Sequence, residues 1–159
     1  MGAHSGPVGM SGGPTIRDAA RGDEAQWRDL WRDYLRFYDH PLPDAVTDYT
    51  WARLMDAASP LKARLAVLGD GTICGFAIHQ QHPSTWVMGD DCYLEDLFVA
   101  ASARGAGVGR ALIADLQDLA RARGWRRLYW HTDEGNQTAR RLYDSIVLSD
   151  GHVRYRLTL

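Results

Sequence analysis

Two stretches of the chain repeat apolar residues with the spacing of an amphipathic helix. In the first, from Asp23 onward, they recur every three or four residues as one aromatic-rich stripe: Trp27, Leu30, Trp31, Tyr34, Leu35 and Tyr38. Two prolines in residues 40–43 end this helix, because proline lacks a backbone donor and clashes with the preceding turn. The second predicted helix covers residues 107–123, and Gly124 is a typical cap for its C-terminus.

Strands and two shorter helices complete the pattern. Residues 64–68 and 72–79 flank Asp70-Gly71, a pair that favours the positive φ angles of a tight turn, and so predict a hairpin. Further strands are predicted at 15–18, 92–99, 127–132 and 153–157, and helices at 47–56 and 136–143. The order β-α-α-β-β-β-α-β-α-β predicts an α/β (α+β) fold, in which a mixed sheet is flanked by helices.

The length and composition fit one domain. The chain has 159 residues, of which 45% are apolar, and no linker-like segment follows residue 14. We therefore expect a single domain over residues 15–159, preceded by a flexible tail, residues 1–14, that is rich in glycine and has hardly any core-forming residue. The net charge of −2 excludes a protein that binds nucleic acid mainly through bulk positive charge.

No part of the sequence predicts a membrane or metal protein. Its apolar runs are too short to cross a bilayer, and its start lacks the regions of a signal peptide. Cys74 and Cys92 form no CxxC pair, and the six histidines form no ligand cluster. We expect a cytoplasmic protein with neither a structural metal nor a disulfide framework.

The most informative segment is a glycine-rich turn between a predicted strand and the 107–123 helix. Its sequence from Arg104 to Arg110 is RGAGVGR. Backbone amides at a helix N-terminus attract anions, glycines let a phosphate approach, and the two arginines add charge-assisted hydrogen bonds. A P-loop is excluded because the segment has no lysine, and a dinucleotide fingerprint fails because Arg110 replaces its third glycine. An ordinary turn is the alternative.

This segment resembles motif A of the GNAT superfamily of acyl-CoA-dependent N-acetyltransferases. A second element, Asn136 followed by Ala139 and Tyr143, resembles the family's N-x-x-A-x-x-x-Y pattern at the family's spacing. Within the superfamily, Leu94-Glu95-Asp96 is most similar to diamine and histone-type enzymes. The resemblance implies a mostly antiparallel sheet of six to seven strands with about four helices, and acetyl-CoA as co-substrate.

The resemblance also implies which residues bind the coenzyme. The strand backbone at Leu97, Phe98 and Val99 is expected to hold the pantetheine arm and thioester at a bulge. The pyrophosphate is expected on the turn, at Arg104, Gly105, Ala106, Gly107, Val108, Gly109 and Arg110. Asn136 and Ala139 are expected to contact the coenzyme as well, although Asn136 is equally suited to cap a helix, and the two roles are compatible.

Two residues are candidate acid and base catalysts. Tyr143 resembles the family's general acid, which protonates the departing thiolate; the alternative is a tyrosine packed in the core. Glu95 lies where polyamine-type enzymes place a catalytic carboxylate; the alternative is a solvated residue at a strand edge. Glu95 and Asp96 alternate along a strand, so they are expected on opposite faces unless a bulge re-aims one. The substrate side is assigned to Tyr34, Tyr38, Glu95 and Asp96.

The sequence thus predicts an N-acetyltransferase that acts by direct attack of a primary amine on acetyl-CoA. A small diamine or polyamine is the first candidate acceptor, and a protein or peptide amine is the second. A catalytically silent acyl-CoA sensor is the alternative function, and a dinucleotide oxidoreductase is a more distant one. The alternating segment 153–157 predicts an exposed edge strand, from which we expect a homodimer.

Overall fold

One five-stranded sheet forms the centre of the computed structural model, which describes residues 12–159. The order of the strands in the sheet is their order along the chain, and only the β4–β5 pair is parallel. The strands are β1 (Thr15–Asp18), β2 (Leu61–Val67), β3 (Ile73–Pro83), β4 (Asp90–Val99) and β5 (Arg127–Trp130).

Four α-helices of residues 12–159 flank this sheet. They are α1 (Glu24–Phe37), α2 (Asp44–Met55), α3 (Val108–Arg123) and α4 (Gln137–Asp144). Helix α3 connects the two parallel strands, as a parallel pair requires a crossover. The α+β class and the helix count predicted from the sequence are confirmed, and both long helices lie within a residue of their predicted ranges.

The aromatic stripe of α1 forms the core on one face of the sheet. Trp27 is fully buried, and its ring lies 5.4 Å from that of Trp31 and 5.0 Å from that of Trp51 on α2. On the opposite face, Leu112 and Leu116 of α3 are fully buried against the sheet. Several large side chains are buried on both faces and hold β4 in place between the helices. Each of these buried side chains stabilises the fold by roughly 1.5–3 kcal/mol.

The strand predicted at 153–157 is absent, so the sheet has five strands rather than six to seven. This segment has no regular structure, and the side chains of Val153, Tyr155 and Leu157 are exposed. An alternating pattern forms a strand only where a neighbouring edge accepts its hydrogen bonds, and no other strand of residues 12–159 pairs with it. Among the smaller differences, α2 begins at Asp44 and β3 continues to Pro83. Most of the predicted tail lies in residues 1–11, outside the described residues.

A buried histidine makes the stability of the fold dependent on pH. His79 of β3 is 3% exposed, and burial lowers its pKa to about 4, with a further lowering by the charge of Arg64. The unfolded chain takes up this proton near pH 6.5, so stability is lost as the pH falls from 6.5 towards 4. The loss is at most about 3 kcal/mol.

We expect His79→Leu to remove most of this pH dependence in urea unfolding measured at pH 7 and pH 5. The exposed His40 provides the matched control, and His40→Gln should leave the dependence as it is. An unchanged pH dependence of stability in His79→Leu would show that other titratable groups cause it.

Candidate active site

A β-bulge in β4 sets the direction of the candidate catalytic carboxylates. Ile78 pairs with Asp96 and His79 pairs with Leu94, so Glu95 is the extra residue in the ladder. The bulge thus lies at Glu95, whereas residues 97–99, where the family resemblance implied it, pair regularly with β3. That expectation was wrong by two residues, because the register with β3, and not the strand's own sequence, determines where a bulge forms.

The bulge brings both carboxylates to the face covered by α1. Tyr34 of α1 donates a 2.7 Å hydrogen bond to Asp96 Oδ1. Gln80 donates a 3.4 Å hydrogen bond to Glu95 Oε2, and Gln80 lies on the same face as Ile78, which packs against α1. The simple alternation that predicts opposite faces therefore does not apply, and Glu95 and Asp96 lie on one side of the sheet.

Half of β4 has an open edge beside these carboxylates. Strand β5 pairs with residues 91–94 only, so the stretch from Glu95 to Val99 has a strand partner on one side alone among residues 12–159. Leu97 and Val99 pack towards α3, and Phe98 is buried on the α1 face. Their side chains are thereby fixed, while the outer backbone edge offers the hydrogen-bonding groups that an extended ligand needs.

The glycine-rich turn lies between the open edge of β4 and the N-terminus of α3. Gly105 and Gly107 have φ angles of +80° and +78°, which glycine adopts without strain. Ala106 between them is exposed, whereas Val108 is buried at the start of the helix. Gly107 has no side chain to cap α3, so the first amides of a 16-residue helix point outward. This arrangement suits an anionic group.

Two arginines stand at the ends of the turn. Arg104 donates to the Val99 carbonyl at 3.2 Å, and its guanidinium lies over the rings of Phe37 and Phe98 at 5.2 and 5.6 Å. Arg110 donates a 2.6 Å hydrogen bond to Ser145 Oγ, just after α4. Both are exposed, so their charges are available to a ligand on the turn.

Helix α4 packs directly on the start of α3. A Cβ placed on Gly109 would lie 3.2 Å from Leu142 Cδ2, so glycine at this position permits the close approach. Asn136 caps α4 by accepting from the Ala139 amide at 3.3 Å, which confirms the capping role. The cap and the packing fix where Tyr143 emerges.

Tyr143 lies between α4 and the strands. Its ring meets Trp130 edge-on at 5.4 Å, and its hydroxyl donates no hydrogen bond within residues 12–159. Burial, with a smaller effect of Tyr38, raises its pKa to about 12. The phenol is thus fully protonated at neutral pH and still has a proton to donate.

The tyrosines at the end of α1 connect the carboxylates with α4. Tyr34 and Tyr38 have ring centroids 5.0 Å apart, and Tyr38 is close enough to Asn136 for a hydrogen bond to lower its pKa against the raising effect of burial. Burial also raises the pKa of Asp96 to about 6, although the Tyr34 hydrogen bond opposes this, and Glu95 raises it further. The four predicted substrate residues therefore lie together, with Tyr143 nearby.

Sequence reasoning missed several residues around this site. Tyr93 and Tyr129 stack across β4 and β5 at 5.0 Å, and Gln80 reaches Glu95 from β3. These contacts join β3, β4 and β5, so no local pattern in the sequence signals them. In residues 12–159, no group of three or more acidic, histidine or cysteine side chains is placed to bind a metal, and no helix is long and apolar enough to span a membrane.

Comparison with known proteins assigns the family. The model of the acetyltransferase (GNAT) family matches residues 25–146, which include β4, the glycine turn and α4. The chain belongs to the GNAT family. It is 34% identical over 135 residues to the D-amino-acid N-acetyltransferase HPA3 of Saccharomyces cerevisiae, with 84% of each chain covered.

A further relative agrees with this assignment, and a solved structure shows the same fold. The aminoglycoside N(6')-acetyltransferase type 1 of Stenotrophomonas maltophilia is 33% identical over 75% of each chain. The ribosomal-protein-alanine N-acetyltransferase of Brucella melitensis biovar Abortus 2308 has the same fold, with a TM-score of 0.74 at 24% identity over 91% of this chain and 98% of the other. The predicted GNAT membership is confirmed, and this protein is an acyl-CoA-dependent N-acyltransferase.

The site of this GNAT chain fits an acyl-CoA thioester by its own geometry. The open edge of β4 is extended and ends at the glycine turn, where backbone amides and two arginines are available to bind an anion. Because Gly109 has no side chain, Leu142 of α4 approaches this turn closely, which places Tyr143 near the start of α3.

Proposed function

We propose that this GNAT enzyme transfers an acetyl group from acetyl-CoA to a primary amine by direct attack, with a small diamine or polyamine as the favoured acceptor. One observation carries this proposal: the open edge of β4 runs from two carboxylates on the α1 face to the glycine turn of α3. A donor held along that edge would meet an amine held at the carboxylates.

The donor side is proposed to bind through backbone groups and two charges. Leu97, Phe98 and Val99 present the backbone edge, as a strand presents it to an added peptide. The amides that follow Gly107 and the guanidinium groups of Arg104 and Arg110 face the pyrophosphate, with Gly105, Ala106, Val108 and Gly109 shaping the turn. Asn136 and Ala139 form the rim opposite, where α4 begins. When bound, acetyl-CoA supplies a thioester whose carbonyl carbon accepts the amine and whose sulfur leaves.

The acceptor side is proposed to remove a proton. An alkylamine has a pKa of about 10 and is mostly protonated at pH 7, so its nitrogen must lose a proton before it can attack. Glu95 accepts that proton, directly or through a water, because the bulge exposes it on the acceptor face. Tyr34 holds Asp96 beside it, and Tyr38 forms the wall towards α4.

Tyr143 is proposed to donate a proton to the leaving thiolate. A free thiolate, with a pKa of about 8.5, is a weaker base than a phenolate whose pKa burial has raised. The same burial raises the basicity of a thiolate next to the ring, as it does for the buried Cys92 thiol, whose pKa rises to about 11. The proton therefore passes at little cost only inside the desolvated site.

The family relatives and the charge of the site support an amine acceptor. The names of the two curated relatives specify D-amino acids and aminoglycosides, which both carry amines on small molecules. Glu95 and Asp96 on the acceptor face favour a cationic substrate. A peptide amine is the second candidate, because the α1 side is open beside the exposed Phe37 and Tyr38.

We expect Arg110→Gln to weaken coenzyme A binding by about ten- to hundredfold, because a charge-assisted hydrogen bond to phosphate is worth roughly 1.5–3 kcal/mol. Isothermal titration measures the Kd. Arg121→Gln, at the other end of α3, is the matched control and should leave the Kd unchanged. Pantetheine, which lacks the pyrophosphate, should bind both variants equally; a loss of pantetheine binding would contradict the assignment of Arg110 to the phosphates.

The protein is further proposed to be a cytoplasmic homodimer. Val153, Tyr155 and Leu157 are 74%, 91% and 84% exposed and alternate as in a strand, which favours pairing with a second copy. We expect light scattering after gel filtration to give twice the 17.8 kDa chain mass, and Leu157→Asp to lower it. A parent protein that elutes as a clean monomer contradicts this proposal.

The reaction itself is tested by measuring thiol release from acetyl-CoA in the presence of different amines. The amines are spermidine, diaminopropane, lysine, glucosamine, an aminoglycoside and a histone-tail peptide. We expect turnover with a diamine or polyamine. Coenzyme A binding without release for any amine would favour the acyl-CoA sensor instead.

A further inference from the structure

Four aromatic and histidine side chains form a continuous surface on the sheet next to the acceptor site. We call them the aromatic shelf: His82, Tyr93, Tyr129 and His131. Tyr93 stacks on Tyr129 at 5.0 Å, and His131 meets both rings edge-on at 5.5 and 6.0 Å. His82 Nε2 and the Tyr129 hydroxyl are 2.7 Å apart, and His131 Nδ1 lies 3.3 Å from the Tyr93 hydroxyl. The rings are thus held in place by one another.

The shelf lies on the same face as the carboxylates. Tyr93 pairs with Gln80, which donates to Glu95, so the rings and the Glu95 carboxylate are neighbours on this face. Burial raises the pKa of Tyr93, and the negative charge of Glu95 raises it further. Tyr129 and His131 remain exposed on this face, opposite the one that α3 covers. A ligand can therefore lie across the shelf and reach Glu95.

The charges around the shelf favour a cation. Glu95 has no salt-bridge partner among residues 12–159, whereas the nearby Arg127 is engaged by Asp91 at 2.6 Å. Arg154 of the C-terminal segment is near enough for its positive charge to lower the pKa of Tyr93 against the effect of burial. The positive charge of Arg154 thus lies near this surface. Aromatic faces attract positively charged groups, and an unpaired carboxylate adds to the attraction.

We propose that the aromatic shelf binds the far end of the acceptor, a second ammonium group, while the reacting amine lies at Glu95. This inference rests on the proposed function and assigns a recognition surface to it. Tyr93 and Glu95 are two residues apart on β4, so their backbone positions lie at most about 6–7 Å apart, because the bulge at Glu95 shortens the rise of the strand. This span suits a diamine with about four carbons between its nitrogens.

The test compares 1,4-diaminobutane with butylamine, which shares its reacting end and lacks the second charge. We expect the parent enzyme to have a kcat/KM for the diamine about tenfold above that for butylamine. In Tyr129→Leu this ratio should fall about three- to tenfold, and in Tyr129→Phe it should persist, because phenylalanine keeps the aromatic face. Isothermal titration of the diamine, without acetyl-CoA, should show the same order of affinities.

Titration separates the failure of this inference from the failure of the proposed function. If neither amine is acetylated but the diamine binds and Tyr129→Leu weakens that binding, the proposed role of the shelf is supported and the proposed reaction is wrong. A parent enzyme with no preference, or a preference that Tyr129→Leu retains, overturns the inference. A Tyr129→Leu variant that is less stable but still prefers the diamine over butylamine also overturns the inference. That result would mean that the chain's own C-terminal segment covers the shelf.

Discussion

Replacement of Tyr143 by phenylalanine is expected to lower kcat by about 10²-fold or more, the usual contribution of a positioned general acid. The substitution removes one hydroxyl and keeps the ring that packs edge-on against Trp130. Because that hydroxyl donates no hydrogen bond within residues 12–159, its loss should affect neither stability nor the Kd for coenzyme A. Steady-state kinetics and coenzyme A titration on the same preparation measure the two effects.

The control for this variant is Tyr49→Phe, which removes a hydroxyl from an exposed tyrosine of α2. It should leave kcat unchanged. If Tyr143→Phe turns over as fast as the parent, Tyr143 is a packing residue and the thiolate leaves without its help. A large drop in kcat with unchanged coenzyme A binding also excludes a silent sensor, because a sensor has no turnover to lose.

Glu95→Gln is expected to lower kcat/KM at pH 7 by about 10²-fold, since it removes the proposed proton acceptor without changing the size of the side chain. The deficit should shrink as the pH rises. An amine with a pKa of about 10 becomes tenfold more neutral with each pH unit below that value, so a variant without a base gains rate in proportion. Between pH 7 and 9 the parent should change less. Initial rates over this range test the prediction.

Asp96→Asn is the matched control for the role of Glu95. Asp96 is tied to Tyr34 by a 2.7 Å hydrogen bond that an amide also accepts, and burial raises its pKa to about 6. We expect a smaller loss in this variant, with a pH profile parallel to that of the parent. An Asp96→Asn variant that reproduces the pH profile of Glu95→Gln would transfer the role of base to Asp96.

The helices and the glycine turn could be predicted because local chemistry determines them. The aromatic stripe from Trp27 to Tyr38 has one period, that of a helix, and its burial against the sheet follows from it. Gly105 and Gly107 adopt positive φ angles that few other residues tolerate, so their spacing already implies the turn. Asn136 at the start of α4 is predictable for the same reason, because the cap is a local hydrogen bond.

The features that could not be predicted from the sequence depend on neighbours distant along the chain. The bulge at Glu95 arises from the register between β3 and β4, and no local pattern in β4 encodes it. The aromatic shelf combines three strands, so Tyr93 and Tyr129 have no joint signal in the sequence. The segment 153–157 has the period of a strand, but it lacks a partner among the described strands.

The most direct measurement follows the acetyl group itself. Deuterium-labelled acetyl-CoA is mixed with the enzyme and 1,4-diaminobutane, the mixture is quenched within one turnover, and the masses of both protein and amine are determined. Direct attack of the amine on the thioester predicts label on the amine and none on the protein. Label that accumulates on the protein before it reaches the amine, or an amine that never gains label, would contradict it.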